Sequence, residues 1–288
     1  MAPQETFQQQ RPSSPSTSVG EPSMPRAGMR YQSLQDLRAD LPEIAQSVES
    51  KTGWSLDLER IRLEVVSGGE LSRRAALDET RRTGMPSAEP PLSLRRLMGD
   101  LKASAYYNRA IAIYLPKEGA ILISEQRLDD RSKDAVKSAL HHELTHAAQH
   151  QKHPKFIEAI DQCVTDYRKW SSHGSDFPQG EPIRKSAESL KQIQARVSLL
   201  EAQAQVLQGM YEQELGLHPE AKMGPIDFLL GLTHRFLAGM RHSVGQYAQG
   251  EEIFKRIYAT NMKEVDTLFK QPKLTDVVFG AEEDAKPR

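Results

Sequence analysis

The run Ala139-Leu140-His141-His142-Glu143-Leu144-Thr145-His146-Ala147-Ala148 constrains this chain more than any other segment. It holds no Pro or Gly. Asp129, Asp130 and Ser132 upstream, with His153-Pro154 downstream, delimit a helix of about 20 residues around it. Positions four apart lie on one face of a helix, so His142 and His146 aim two imidazoles at a common point, with Glu143 beside them. Two histidines and a neighbouring carboxylate at this spacing suit a zinc ion that keeps an open position for water. Zinc lowers the pKa of bound water from about 16 to about 7, and Glu143 is placed to accept the proton as general base. Leu144 and Thr145 are uncharged, which leaves the helix an uninterrupted face to bury.

Two other metal chemistries read differently. Glu143-x-x-His146 is also the i, i+3 unit of di-iron helix bundles, which need a second such pair on another helix; the sequence contains none. A metzincin would continue with Gly at 149 and His at 152, where this chain has Gln149 and Lys152. The third ligand must come from elsewhere. His150 lies about 12 Å from His142 along the helix, too far to share an ion. His153, just before Pro154, could bend back, and Glu158 and Asp161 follow on the next helical stretch. Glu201 is the best candidate: it sits among Val197, Leu200, Ala204 and Val206, where a carboxylate is costly unless paired or coordinating. The small residues Ala202 and Ala204 would permit a close helix approach, whereas Glu188, Glu212 and Glu214 read as solvated charges.

The rest of the chain supplies the frame. Residues 1–29 are rich in Gln, Pro and Ser, the composition of a disordered tail, read either as an inert terminus or as an export segment. Leu34, Leu37, Leu41, Ile44 and Val48 recur at helical spacing between Ser33 and Gly53. A strand at 61–66, helices at 70–83 and 92–103, and a hairpin pairing 110–115 with 120–123 come next. Beyond the motif helix, helices are expected at 154–170, 183–217, 225–243 and 247–270. The order implies a predominantly helical α+β protein, with a small mixed sheet before the motif helix and a helical C-terminal half. Its expected divisions are the tail 1–29, a main domain 30–217, a helical extension 218–272 packed on that domain, and a polar tail 273–288.

Charge and cysteine content narrow the partners. The 38 basic and 39 acidic residues are interspersed and sum to −1, which leaves no footprint for nucleic acid. The lone Cys163 excludes an intramolecular disulfide framework and reads as a structural thiol. No run is apolar enough to span a bilayer, and the N-terminus lacks the features of a secretory signal peptide. The expectation is a soluble protein, cytoplasmic or exported as an effector by a non-classical route. Oligomeric state has no signature in the sequence.

The order strand, hairpin, His-Glu-x-x-His helix and downstream Glu-bearing helix resembles the zincin metallopeptidases in their gluzincin-like form. Tyr106-Tyr107-Asn108 before an Ile-rich strand pair, then LHHELTHAAQH, then EAQAQ, is similar to compact bacterial zinc peptidases. The likeness spans about residues 33–210 in architecture, and in specific residues only the motif; no Asn-Glu-x-x-Ser-Asp sequence surrounds Glu201. It implies zinc held by His142, His146 and Glu201, Glu143 as base, a protein or peptide substrate, and alignment of that peptide along the edge strand of the hairpin. An oxyanion stabiliser is also expected, with His234, Arg235, Tyr211 and Tyr247 as candidates by type. The competing reading is a non-catalytic helical binding or scaffold protein with a structural or degenerate metal site.

Overall fold

The fold is described from a computed structural model, in which residues 29–82, 110–172, 181–217 and 263–270 are described. The expected helices at 92–103 and 225–243, residues Tyr106-Tyr107-Asn108, and all but the last residue of the tail 1–29 lie outside that range.

Helix α1, Leu34–Thr52, begins where Ser33 Oγ accepts the Asp36 N–H and ends where Gly53 turns into the left-handed region at φ 69°. Its buried stripe, Leu37, Leu41, Ile44, Ala45 and Val48, is the periodic set expected for one helix face. A 3-10 turn, Leu58–Arg60, leads into strand β1, Arg62–Val66, and helix α2 follows at Gly68–Arg82. Strands β2, Ala112–Leu115, and β3, Ala120–Ser124, form the expected antiparallel hairpin. β1 joins the other side of β3 in parallel, giving a mixed three-stranded sheet of order β1-β3-β2.

All five residues of β3 are buried. Both faces of the sheet are covered, which is why β3 reads as a continuous apolar run instead of an alternating one. Ile121, Ile123, Leu63 and Ala112 face the main core with α1, while Ala120, Leu122, Ile113 and Leu115 pack against Leu71 and Ala75 of α2.

After β3 the structure departs from expectation in one detail. Asp129 and Asp130 do not cap the motif helix; they end a separate short helix, α3, Glu125–Asp130, whose Leu128 is buried. Ser132 alone caps helix α4, Lys133–Lys152, by accepting the Ala135 N–H. The His153 N–H closes α4 onto Gln149 O at 2.8 Å, and Pro154 opens helix α5, Pro154–Ser172, at a position where no N–H is needed. Helix α6, Glu181–Glu214, is 34 residues long and packs along both α5 and α4. Helix α7, Lys263–Lys270, seats Leu268 and Phe269 in the main core, and Trp54 Nε1 donates to Asp266 Oδ1 at 2.9 Å. Among the described residues no helix is long and apolar enough to cross a membrane.

The hairpin turn depends on Gly119. It adopts φ 58°, and a Cβ there would lie 2.8 Å from the Arg60 carbonyl. Gly53 has a similar φ of 69° but nothing within 4 Å. Gly119→Ala is expected to lower unfolding stability by about 1–3 kcal/mol, and by more than Gly53→Ala, as read from urea midpoints. Equal losses would show that the contact with Arg60 is immaterial.

Candidate metal centre

α4 and α6 run antiparallel, because Ser138 meets Glu212, His142 meets Gln208, and Gln149 meets Gln203. Where they cross, His142 Nε2 and His146 Nε2 stand 3.0 Å apart. Glu201 reaches in from α6, with Oε2 3.5 Å from His142 Nε2 and Oε1 3.4 Å from His146 Nε2. Ligand atoms of a tetrahedral zinc ion, bonded at about 2.0–2.1 Å, stand about 3.3 Å from one another. The observed separations bracket that value, with the two glutamate contacts made through different oxygens. Among the described residues, His142, His146 and Glu201 form a group that could hold a metal ion.

The orientation of the rings fits a metal as well as the spacing does. His142 Nδ1 meets Gln208 Oε1 at 3.0 Å, and His146 Nδ1 meets Gln149 Oε1 at 2.8 Å. An amide oxygen only accepts, so each Nδ1 carries the proton and each Nε2 lone pair points at the shared centre. The side chains of His142, His146 and Glu201 are only 9%, 12% and 7% exposed, so their charges interact through little water. Burial opposes ionisation of both partners. Even so, His146 and His142 hold the Glu201 carboxyl down at about 2, and Glu201 lifts His146 to about 9. The Glu201 carboxylate thus draws positive charge to the point where the three side chains meet.

Glu143 sits beside this group. Its Oε2 accepts the backbone N–H of Tyr114, in edge strand β2, at 2.7 Å. Burial pushes its carboxyl above the ordinary range, while His142, His146 and the Tyr114 N–H pull it back. A carboxylate with raised proton affinity thus stands next to two histidines that could hold a metal.

The rival third ligands are elsewhere. His153 is stacked on Phe269 at 4.6 Å between ring centroids, with Nε2 3.3 Å from Asp266 Oδ1. Glu158 is exposed on α5 and Asp161 half-buried there, and neither belongs to the group. His150 packs edge-on against Tyr114. Tyr211 is stacked on His141, on the side of α4 where His141 meets Ser47 of α1. His234, Arg235 and Tyr247 lie outside the described residues. Glu188 is exposed as expected. Glu212 is not simply a solvated charge: it accepts from both Ser138 and Gln208. Gln149 and Gln208 were not legible as site residues. The one available signal was Gln149, three residues after His146 and on the same side of the helix.

His141, next to the motif, carries a separate consequence. It is fully buried, and burial, reinforced by Lys51 and His142, lowers its pKa from 6.5 to about 3. The unfolded chain takes up a proton near pH 6.5 that the folded chain refuses until about pH 3. The stability it contributes is complete above the upper value and is lost as pH falls through the window. In chelator-treated protein, urea midpoints should decline on acidification across that range. They should decline less in His141→Phe, whose ring can keep the stacking on Tyr211; identical slopes would refute the assignment.

Compared with known proteins, the chain matches no family model, no curated protein and no solved structure, so the reading of this centre stands on its own residues.

Proposed function

We propose that this chain is a zinc-dependent hydrolase of zincin type that cleaves peptide bonds, with Glu143 as general base and His142, His146 and Glu201 as metal ligands. The observation that carries the reading is the convergence of two imidazole Nε2 atoms and the Glu201 carboxylate within 3.5 Å, beside a buried Glu143 anchored on an edge strand. A metal site that served only to staple α4 to α6 would have no use for Glu143 at that place.

Bound zinc would supply an acidified water and polarise a carbonyl. The protein supplies everything else. The Tyr114 N–H fixes Glu143 through Oε2, which leaves Oε1 to take a proton from the attacking water and deliver it to the leaving amine. The Ser124 N–H donates to Ile111 O, and in the alternation of an antiparallel pair the backbone groups of Ala112 and Tyr114 then face away from β3. An extended peptide substrate would add alongside β2 on that outer edge. Because Tyr114 bridges that strand to Glu143, substrate alignment and base alignment share one backbone segment.

The second reading, a structural zinc site in a binding protein, is favoured by the near-complete burial of all three side chains. Purified full-length protein separates the two. The enzyme reading expects about one zinc per chain in the wild type and in Glu143→Gln, and loss of zinc in His146→Ala. It also expects peptide-library hydrolysis that falls by about 10²–10⁴-fold in Glu143→Gln. Stoichiometric zinc, with no cleavage by the wild type and unfolding unchanged in Glu143→Gln, would replace it with the structural reading.

A further inference from the structure

The two glutamines behind the histidines cannot choose which end of the amide they present. Gln149 Nε2 donates to the Leu200 carbonyl at 2.9 Å and to Gln203 Oε1 at 2.8 Å. A backbone carbonyl can only accept, so the amide oxygen of Gln149 must face His146 Nδ1. Gln208 Nε2 donates to Ser138 Oγ at 2.8 Å and to Glu212 Oε1 at 3.0 Å, while the Ser138 hydroxyl gives its own proton to Glu212 at 2.7 Å. The amide oxygen of Gln208 is therefore turned to His142 Nδ1. Two neutral histidines with Nε2 atoms 3.0 Å apart would ordinarily share a proton, one ring donating to the other. With both Nδ1 positions claimed by acceptors, that arrangement is closed to the neutral rings, and a proton or a metal cation is needed between the two Nε2 atoms.

We propose that Gln149 and Gln208 are positioning residues that commit both histidines to the metal-binding tautomer before a metal arrives, with Glu212 and Ser138 setting the orientation of Gln208. The inference rests on the metal reading of His142, His146 and Glu201, and not on the hydrolase reading. Both locks come from the α4–α6 interface, so the docking of the two helices and the readiness of the site are one event. Neutral amides also orient the rings without adding a negative charge to a site that already contains Glu143 and Glu201. A carboxylate in the same place would strengthen imidazole donation and weaken the acidity of a bound metal.

The test is metal binding, independent of turnover. Cobalt(II) and zinc(II) are titrated into metal-free full-length protein against a competing chelator at one neutral pH, with the visible cobalt bands reporting coordination geometry. Gln149→Met and Gln208→Met preserve side-chain length but remove the acceptor, and each should weaken binding by about 10–100-fold. The exchange Gln208→Glu with Glu212→Gln restores an acceptor at His142 Nδ1 and supplies the donor from the other side, and it should bind at least about 10-fold more tightly than Gln208→Met. Thermal unfolding of each metal-free variant gives the folded fraction, so a variant that merely folds poorly is corrected for. Met variants with wild-type affinity would overturn the proposal, as would an exchange variant that binds as weakly as Gln208→Met. A wild-type protein that binds neither metal would instead remove the metal reading on which the proposal stands.

Discussion

The Glu201 carboxylate, buried between two helices and facing two imidazoles, is the interaction around which the rest of the structure is arranged. An ionised carboxylate out of water costs several kcal/mol unless it is paired and fully hydrogen-bonded. The α4–α6 interface meets that demand along its whole length, from Ser138 and Glu212 through the histidines to Gln149 and Gln203. Leu140, Leu144 and Leu199, on the same two helices, are fully buried. Because the seam pairs particular donors with particular acceptors, it also sets the register of the helices: sliding α6 by one turn would leave several buried groups unpaired.

The sheet has a narrower task. Its central strand β3 is covered on both faces, by α2 on one side and by the main core on the other. β2 is left as an edge strand against α4. Its outer edge meets Glu143 through the Tyr114 N–H, so this strand also orients the residue proposed as base. α1 supports α4 from another side through Ser47 and the buried His141, which stacks on Tyr211 of α6. α7 closes the corner formed by Trp54, His153 and Phe156 with Phe269. That contact also explains why His153, a candidate ligand by sequence, is engaged elsewhere.

Much of the frame was legible before any coordinates, wherever a local rule sufficed. Ser33 and Gly53 bound α1 because a hydroxyl cap and a left-handed glycine act within one turn. The hairpin, α5 and α6 appear within a few residues of their expected limits for the same reason. The expected cap at Asp129 and Asp130 failed because two acidic residues can equally end a short helix, and composition does not distinguish those roles. Glu201 stood out because a charge on an apolar stripe needs a partner. Glu212 was misread because its partners, Ser138 and Gln208, are distant in sequence or a turn away, and their joint geometry has no linear signature.

The sequence by itself determined the helix that carries His142, Glu143 and His146 on one side, since a 3.6-residue period leaves no choice about where residues four apart point. It also marked Glu201 as a buried charge in search of company. Only the tertiary structure decided that this company is the histidine pair, that Glu143 is tied to β2, and that two glutamines turn the imidazoles toward the centre. Those facts depend on how α4 and α6 pack, and the direction of a buried amide is fixed by acceptors that only packing brings within reach.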